Sequence, residues 1–260
     1  MKPIAALAHG RSRAEVVEEL RRLLPGTESG FSPARVLAFG VPALDSWLPQ
    51  GGLALGALHE VAPAGEGDRT AALGFIVALL GRRPRGAPVI VVIPRRLAGD
   101  NRLYGHGLNH LGLDPSRIIL IESADEKQAL WAMEEALRAR VPAAVAGAIG
   151  KKLDLRASQR LQLAAMESQV PLLLLRPARL LEASAAVTRW RIASAAAARD
   201  RFGMIARSRW RVSLERCRNG RSGEWFVEYD HAAHCFRLSS ALADPALSHG
   251  SGTPSKRRAG

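Results

Sequence analysis

Largely apolar runs of five to seven residues recur through the middle of the chain, at Ala57–Ala62, Val89–Ile93, Ile118–Glu122, Ala143–Ile149 and Pro171–Leu175. Strands buried on both faces of a parallel sheet carry this signature. Between the runs lie Thr70–Leu80, Asn101–Leu111, Glu126–Arg140 and Arg156–Val170, each with apolar residues at helical spacing. In the third, Asp125 stands at the cap position, and Ala129, Ala132, Met133, Ala136 and Leu137 form one stripe. Such alternation predicts right-handed βαβ crossovers and an α/β fold with a mostly parallel sheet flanked by helices. After Arg179 the pattern changes. Ala186–Ala193, Ser208–Arg216, Glu224–Tyr229 and His234–Leu238 read as antiparallel strands, with Asn219–Gly223 as a hairpin connection. The polyalanine run Ala195–Ala198 predicts a helix, or a segment ordered on contact.

At the amino end, Ser12–Leu24 has a capping serine, Glu15 at the capping-box position and an apolar stripe of Val16, Val17, Leu20, Leu23 and Leu24. Pro25–Gly26 stops it, and a linker follows. The domain organisation expected is an amphipathic helix and linker over 1–38, a core domain over 39–242, and a disordered basic tail over 243–260. No secretory signal and no unbroken apolar stretch long enough for a membrane is present, so a soluble, cytoplasmic protein is expected.

Composition alters this picture in one respect. The 260 residues are ordinary in apolar and charged content, at 47% and 23%, but the formal net charge is +13. That surplus favours an acidic partner, either nucleic acid or protein. From Arg176 to Arg221 there are twelve arginines against three acids (Glu182, Asp200 and Glu215). Strand alternation puts Arg207, Arg209 and Arg211 on one face, with Trp210, Val212 and Leu214 on the other. Arg189, Arg191, Arg207, Arg209, Arg211, Arg216, Arg218 and Arg221 are therefore candidate contacts to DNA or to a partner protein. Two cysteines, Cys217 and Cys235, are too few for a disulfide framework or a four-ligand zinc site. His106 and His110 are read as helix-surface residues, and His231 and His234 as turn residues, with no metal pattern.

The chemistry centres on Pro63-Ala64-Gly65-Glu66-Gly67-Asp68-Arg69-Thr70, between the first strand and the first long helix. Strand, glycine loop, helix is the grammar of a phosphate cradle, in which backbone N–H groups face an anion. The residues do not fit one. The loop has no lysine, Arg69-Thr70 stands where Lys-Thr is needed, and Glu66 and Asp68 put negative charge where phosphates would lie. The strand Val89–Ile93 runs into Pro94-Arg95-Arg96, and Ala143–Ile149 into Gly150-Lys151-Lys152, so neither supplies a carboxylate for magnesium or for water. Gly65, Gly67, Arg69 and Thr70 are accordingly read as a vestigial nucleotide loop, with no catalytic residue, metal or cofactor expected.

Ala43-Leu44-Asp45, Gly51-Gly52-Leu53, Gly56 and Glu60-Val61 resemble the segment leading into the phosphate loop of RecA-type recombinases. The closer resemblance, over Phe39–Val61, is to the ImuA family, RecA-like accessory proteins of inducible-mutagenesis cassettes. Further matching stretches are Leu153–Leu155, Gln159–Ala165, Leu174–Pro177, Arg209–Val212 and Leu214–Arg218. The resemblance implies a RecA-like, P-loop-type core with a C-terminal antiparallel extension. It also implies a DNA-damage (SOS) role in error-prone translesion synthesis and association with the nucleoid on damage. The partners implied are an ImuB-like Y-family protein and, through it, a DnaE-type error-prone polymerase, with RecA and single-stranded DNA as further contacts and no membrane. Two other readings stay open: an SOS-linked cell-division inhibitor, and an ATP-binding recombinase paralogue.

Overall fold

The computed structural model describes residues 36–98, 103–179, 182–199 and 205–239. The amphipathic stretch Ser12–Leu24 and the basic tail over 243–260 lie outside them. In chain order the strands are β1 (Val36–Leu37), β2 (Leu53–Ala54), β3 (Leu58–Pro63), β4 (Val89–Pro94), β5 (Ile118–Ser123), β6 (Ala144–Ala148) and β7 (Leu172–Leu175). They continue as β8 (Thr188–Arg199), β9 (Ile205–Cys217), β10 (Gly223–Asp230) and β11 (Cys235–Leu238). The helices are α1 (Pro42–Asp45), α2 (Arg69–Gly81), α3 (Arg95–Ala98), α4 (Gly105–His110), α5 (Glu126–Arg138) and α6 (Leu155–Ser168).

Nine strands form one mixed sheet in the order β11-β10-β9-β8-β3-β7-β6-β4-β5, while β1 and β2 pair separately. From β8 to β5 all neighbours are parallel; β9, β10 and β11 add antiparallel to one edge. The expectation of a mostly parallel sheet flanked by helices and extended by antiparallel strands describes this architecture. Val36 and Leu37, grouped with the linker from sequence, pair with Ala54 and Leu53.

Side-chain alternation divides the interior into two layers. On one face α2 lies over β3, β8 and β9, and Phe39, Phe75, Trp190, Trp210 and Phe236 form a contiguous aromatic cluster. On the other face α5 and α6 cover Leu58, Val92, Val145, Leu172 and Leu174. The expected α5 stripe is buried, with Ala129, Met133 and Leu137 at 0% exposure. Asp125 caps that helix by accepting from the Gln128 N–H at 2.8 Å. Gly147 is required where Met133 crosses β6: a Cβ there would lie 2.1 Å from the methionine sulfur.

The Phe39–Asp45 segment is held by its own carboxylate. Asp45 accepts from the backbone N–H groups of Phe39 (2.8 Å) and Val41 (3.0 Å), which inserts Phe39 into the aromatic cluster. The polyalanine prediction is corrected. Ala195 pairs with Arg209 and Ala198 with Arg207 as part of β8. Cross-strand hydrogen bonding outweighs alanine's helix propensity there, a tertiary override of a weak local preference.

Candidate nucleotide loop and arginine face

β3 sits between β7 and β8, and the loop at its carboxyl end leads into α2. The chain leaves β3 for the β4–β5 side and later returns to β8 on the other, so strand order reverses beside this loop. Open α/β sheets bind ligands at such a point. Here the loop is closed on itself. Gly65 donates its N–H to Asp68 Oδ2 at 3.1 Å, and Ser194 of β8 donates its N–H to Asp68 Oδ1 at 2.8 Å. The Ala64 N–H is taken by the Ile192 carbonyl at 2.8 Å, and the Asp68 N–H by the Gly65 carbonyl at 3.0 Å. One carboxylate thus occupies amides that would otherwise face an anion. Of the residues singled out from sequence, Gly65 serves this closure, while a Cβ at Gly67 would meet nothing within 4 Å. Arg69 is half-buried, with its Nε lacking a hydrogen-bond partner among the described residues, and Thr70 is exposed.

Behind the loop lies a buried ionic cluster that sequence reading missed. Glu60, on β3, is 1% exposed. Its Oε2 accepts from Arg189 Nε at 2.9 Å and from Ser184 Oγ at 3.0 Å, and Arg176 Nε lies 3.7 Å from Oε1. Arg176 in turn donates to the Lys151 carbonyl at 3.2 Å and approaches Glu182 at 3.6 Å. Burial is the main pull on Arg176, lowering its basicity against the opposing field of Glu60 and Glu182. The only sequence cue was a glutamate placed inside an apolar strand, with Arg176 following the end of β7 and Arg189 near the start of β8. A second polar chain runs through the opposite layer. Trp190 Nε1–H donates to Thr188 Oγ1 at 2.8 Å; that hydroxyl lies 2.8 Å from His59 Nδ1, and His59 Nε2 lies 2.8 Å from the Ala54 carbonyl. The carbonyl can only accept, so Nε2 carries the proton and Nδ1 accepts from Thr188. Burial pulls the His59 pKa from 6.5 to about 4.

The antiparallel extension presents the expected division of faces. Trp210, Val212 and Leu214 are buried at 6%, 0% and 1%, while Arg207, Arg209 and Arg211 take the opposite side. That side is an ion-pair lattice, however, and not a row of free cations. Arg209 contacts Glu228 at 2.6 Å; Arg207 lies 3.6 Å from Glu228 and 3.7 Å from Asp230; Arg237 lies 3.3 Å from Asp230. Arg191 forms a two-point contact with Glu215, at 2.7 and 3.1 Å. Arg189 is committed to Glu60, while Arg216 and Arg218 donate to the Ser184 and Ala185 carbonyls at 2.9 and 3.4 Å. Arg211, whose strand neighbours are Ala193 and Phe226, and Arg221 keep exposed guanidinium groups with no side-chain partner among the described residues. Burial pushes the Glu228 carboxyl up, but hydrogen bonds from Arg209 and Ser239 together with the Arg209 charge outweigh it and leave its pKa below the ordinary value.

The histidines also meet in a way that spacing did not reveal. His110 on α4 and His231 after β10 stack with ring centroids 3.9 Å apart, and His231 Nδ1 lies 3.2 Å from the His110 carbonyl. Among the described residues, no group of three or more His, Cys, Asp or Glu side chains could hold a metal ion. No helix is long and apolar enough to cross a membrane among those residues either.

No family model matches the chain. Two curated relatives are similar to it, both named Protein ImuA and from two strains of Caulobacter vibrioides. Each is 40% identical over 232 residues, spanning 82% of this chain and 92% of the relative.

Proposed function

Since the chain belongs to the ImuA family, we propose that it is a non-catalytic, RecA-like accessory factor of damage-induced, error-prone translesion synthesis, acting by recruitment. The observation that carries the non-catalytic part is the Asp68 carboxylate seated on the amides of Gly65 and Ser194. A phosphate group entering there would have to displace an anion already held by two hydrogen bonds, and would meet its charge. The ends of β4 and β6 add no substitute carboxylate: β4 continues into Arg95 and Arg96, and β6 into Gly150, Lys151 and Lys152. Strand order reverses at a glycine loop on a central parallel strand, which supports a RecA-like body that has kept the scaffold and lost the reaction.

The partner on this reading is an ImuB-like Y-family protein, with a DnaE-type polymerase reached through it, and RecA and single-stranded DNA as further contacts. The antiparallel edge carries the exposed Arg211 and Arg221 toward such a contact, and the protein works in the cytoplasm, joining the nucleoid on damage. The test is complex formation between the purified, nuclease-treated chain and the ImuB-like protein, with and without magnesium-ATP. A stable complex of unchanged affinity in both conditions is expected. No complex, or one formed only with ATP, overturns the reading. Binding instead to a tubulin-like division protein would favour the division-inhibitor alternative.

A further inference from the structure

On the sheet face opposite α2, α5 and α6 leave between them an open groove of about 660 Å³, bordered by Lys127, Leu130, Trp131, Glu134, Ala157 and Arg160. Trp131 is 62% exposed. Its position explains why: the buried apolar residues Ala129, Ala132, Met133, Ala136 and Leu137 occupy the opposite side of the helix and leave most of Trp131 in solvent. The other tryptophans are enclosed: Trp190, Trp210 and Trp225 are buried and Trp47 is half-buried. A large aromatic side chain left in water beside a groove is a residue type concentrated in binding hot spots.

The charges around it have a definite sense. Asp125 is spent capping α5, accepting from Gln128 N–H at 2.8 Å. Glu134, whose side chain is 5% exposed, is enclosed between Arg138, at 2.5 Å, and Arg160. The Arg160 side chain remains 65% exposed, and Lys127 is exposed one turn before Trp131 with no ion pair among the described residues. The carboxylates at the groove are therefore engaged, while a lysine and the outer side of an arginine face solvent on either side of the tryptophan. An apolar anchor flanked by a carboxylate is the complementary chemistry.

We propose that this groove docks a short amphipathic segment of the ImuB-like partner, an apolar side chain resting on Trp131 and a carboxylate lying between Lys127 and Arg160. The inference rests on the recruitment reading above. Because Trp131 and Lys127 are exposed, Trp131→Ala and Lys127→Glu leave the core intact, and unchanged thermal unfolding verifies that. Titrating the purified ImuB-like protein against wild type and each variant is expected to show affinity weakened about tenfold or more by either substitution. Equal affinity for all three overturns the groove and leaves recruitment standing. Failure of the wild type to bind overturns both. If Trp131→Ala weakens single-stranded DNA binding and not protein binding, the groove serves base stacking and the proposal is wrong.

Discussion

His59 shows how one buried residue sets a condition on the whole fold. Its folded pKa of about 4 lies below its ordinary 6.5, because burial opposes the charge while Thr188 and Ala54 accommodate the neutral ring. Between those values the unfolded chain binds the extra proton and the folded chain does not, so stability falls as pH drops from 6.5 toward 4. The expected loss is about 2 kcal/mol between roughly pH 7 and pH 5. Urea midpoints across that range check it: His59→Gln should be less stable at neutral pH yet show a flatter profile. A profile as steep as wild type would assign the pH dependence to other groups. Asp68 teaches a related point. From sequence it is a charge that repels phosphate; in the fold it is itself an anion held by the Gly65 amide of the loop and the Ser194 amide of β8. Spacing reveals the first role but not the second, since Ser194 lies far along the chain and reaches the loop only through the β3–β8 pairing.

Among the elements, the β9–β10 pair decides what the arginine surplus is for. The strands and their buried faces were legible because a period of two survives in Trp210, Val212 and Leu214. The neutralising carboxylates were not, because Glu228 and Asp230 follow the arginine-rich stretch and meet it only in the antiparallel register, where Glu228 stands opposite Arg209. Counting charge along a window therefore overstated the free positive surface. The same logic separates two substitutions. Arg209→Glu sets two carboxylates against each other at a site where Arg209 and Glu228 side chains are only 14% and 11% exposed. It should cost about 2–4 kcal/mol and lower Tm by about 5–15 °C. Arg211→Glu, at an exposed position, should leave Tm within a few degrees. If Arg211 serves binding, its reversal weakens association with DNA or with the partner protein. Scanning calorimetry on both variants distinguishes them, and equal Tm losses would contradict the lattice.

For the molecule as a whole, alternation of apolar runs with helical spacing was enough to anticipate the parallel sheet and its antiparallel extension. The central strands β3, β6 and β7 are buried on both sides as their apolar runs predict, but β5 corrects that expectation: it lies at the sheet edge and leaves Ile119 and Leu120 49% and 44% exposed. The position of the loop followed from the same pattern. The ionic cluster of Glu60, Arg176 and Arg189, by contrast, needs three strands side by side before its members become neighbours. On the reading proposed above, the fold keeps the place of a nucleotide site and closes it with an internal carboxylate, Asp68. Magnesium-ATP hydrolysis by the nucleic-acid-free protein, read beside equilibrium nucleotide binding, tests that most directly. Neither turnover nor saturable binding at millimolar ATP is expected, with binding first becoming measurable when Asp68→Gly frees the Gly65 and Ser194 amides. ATP turnover by the wild type that disappears in Arg69→Ala would contradict it.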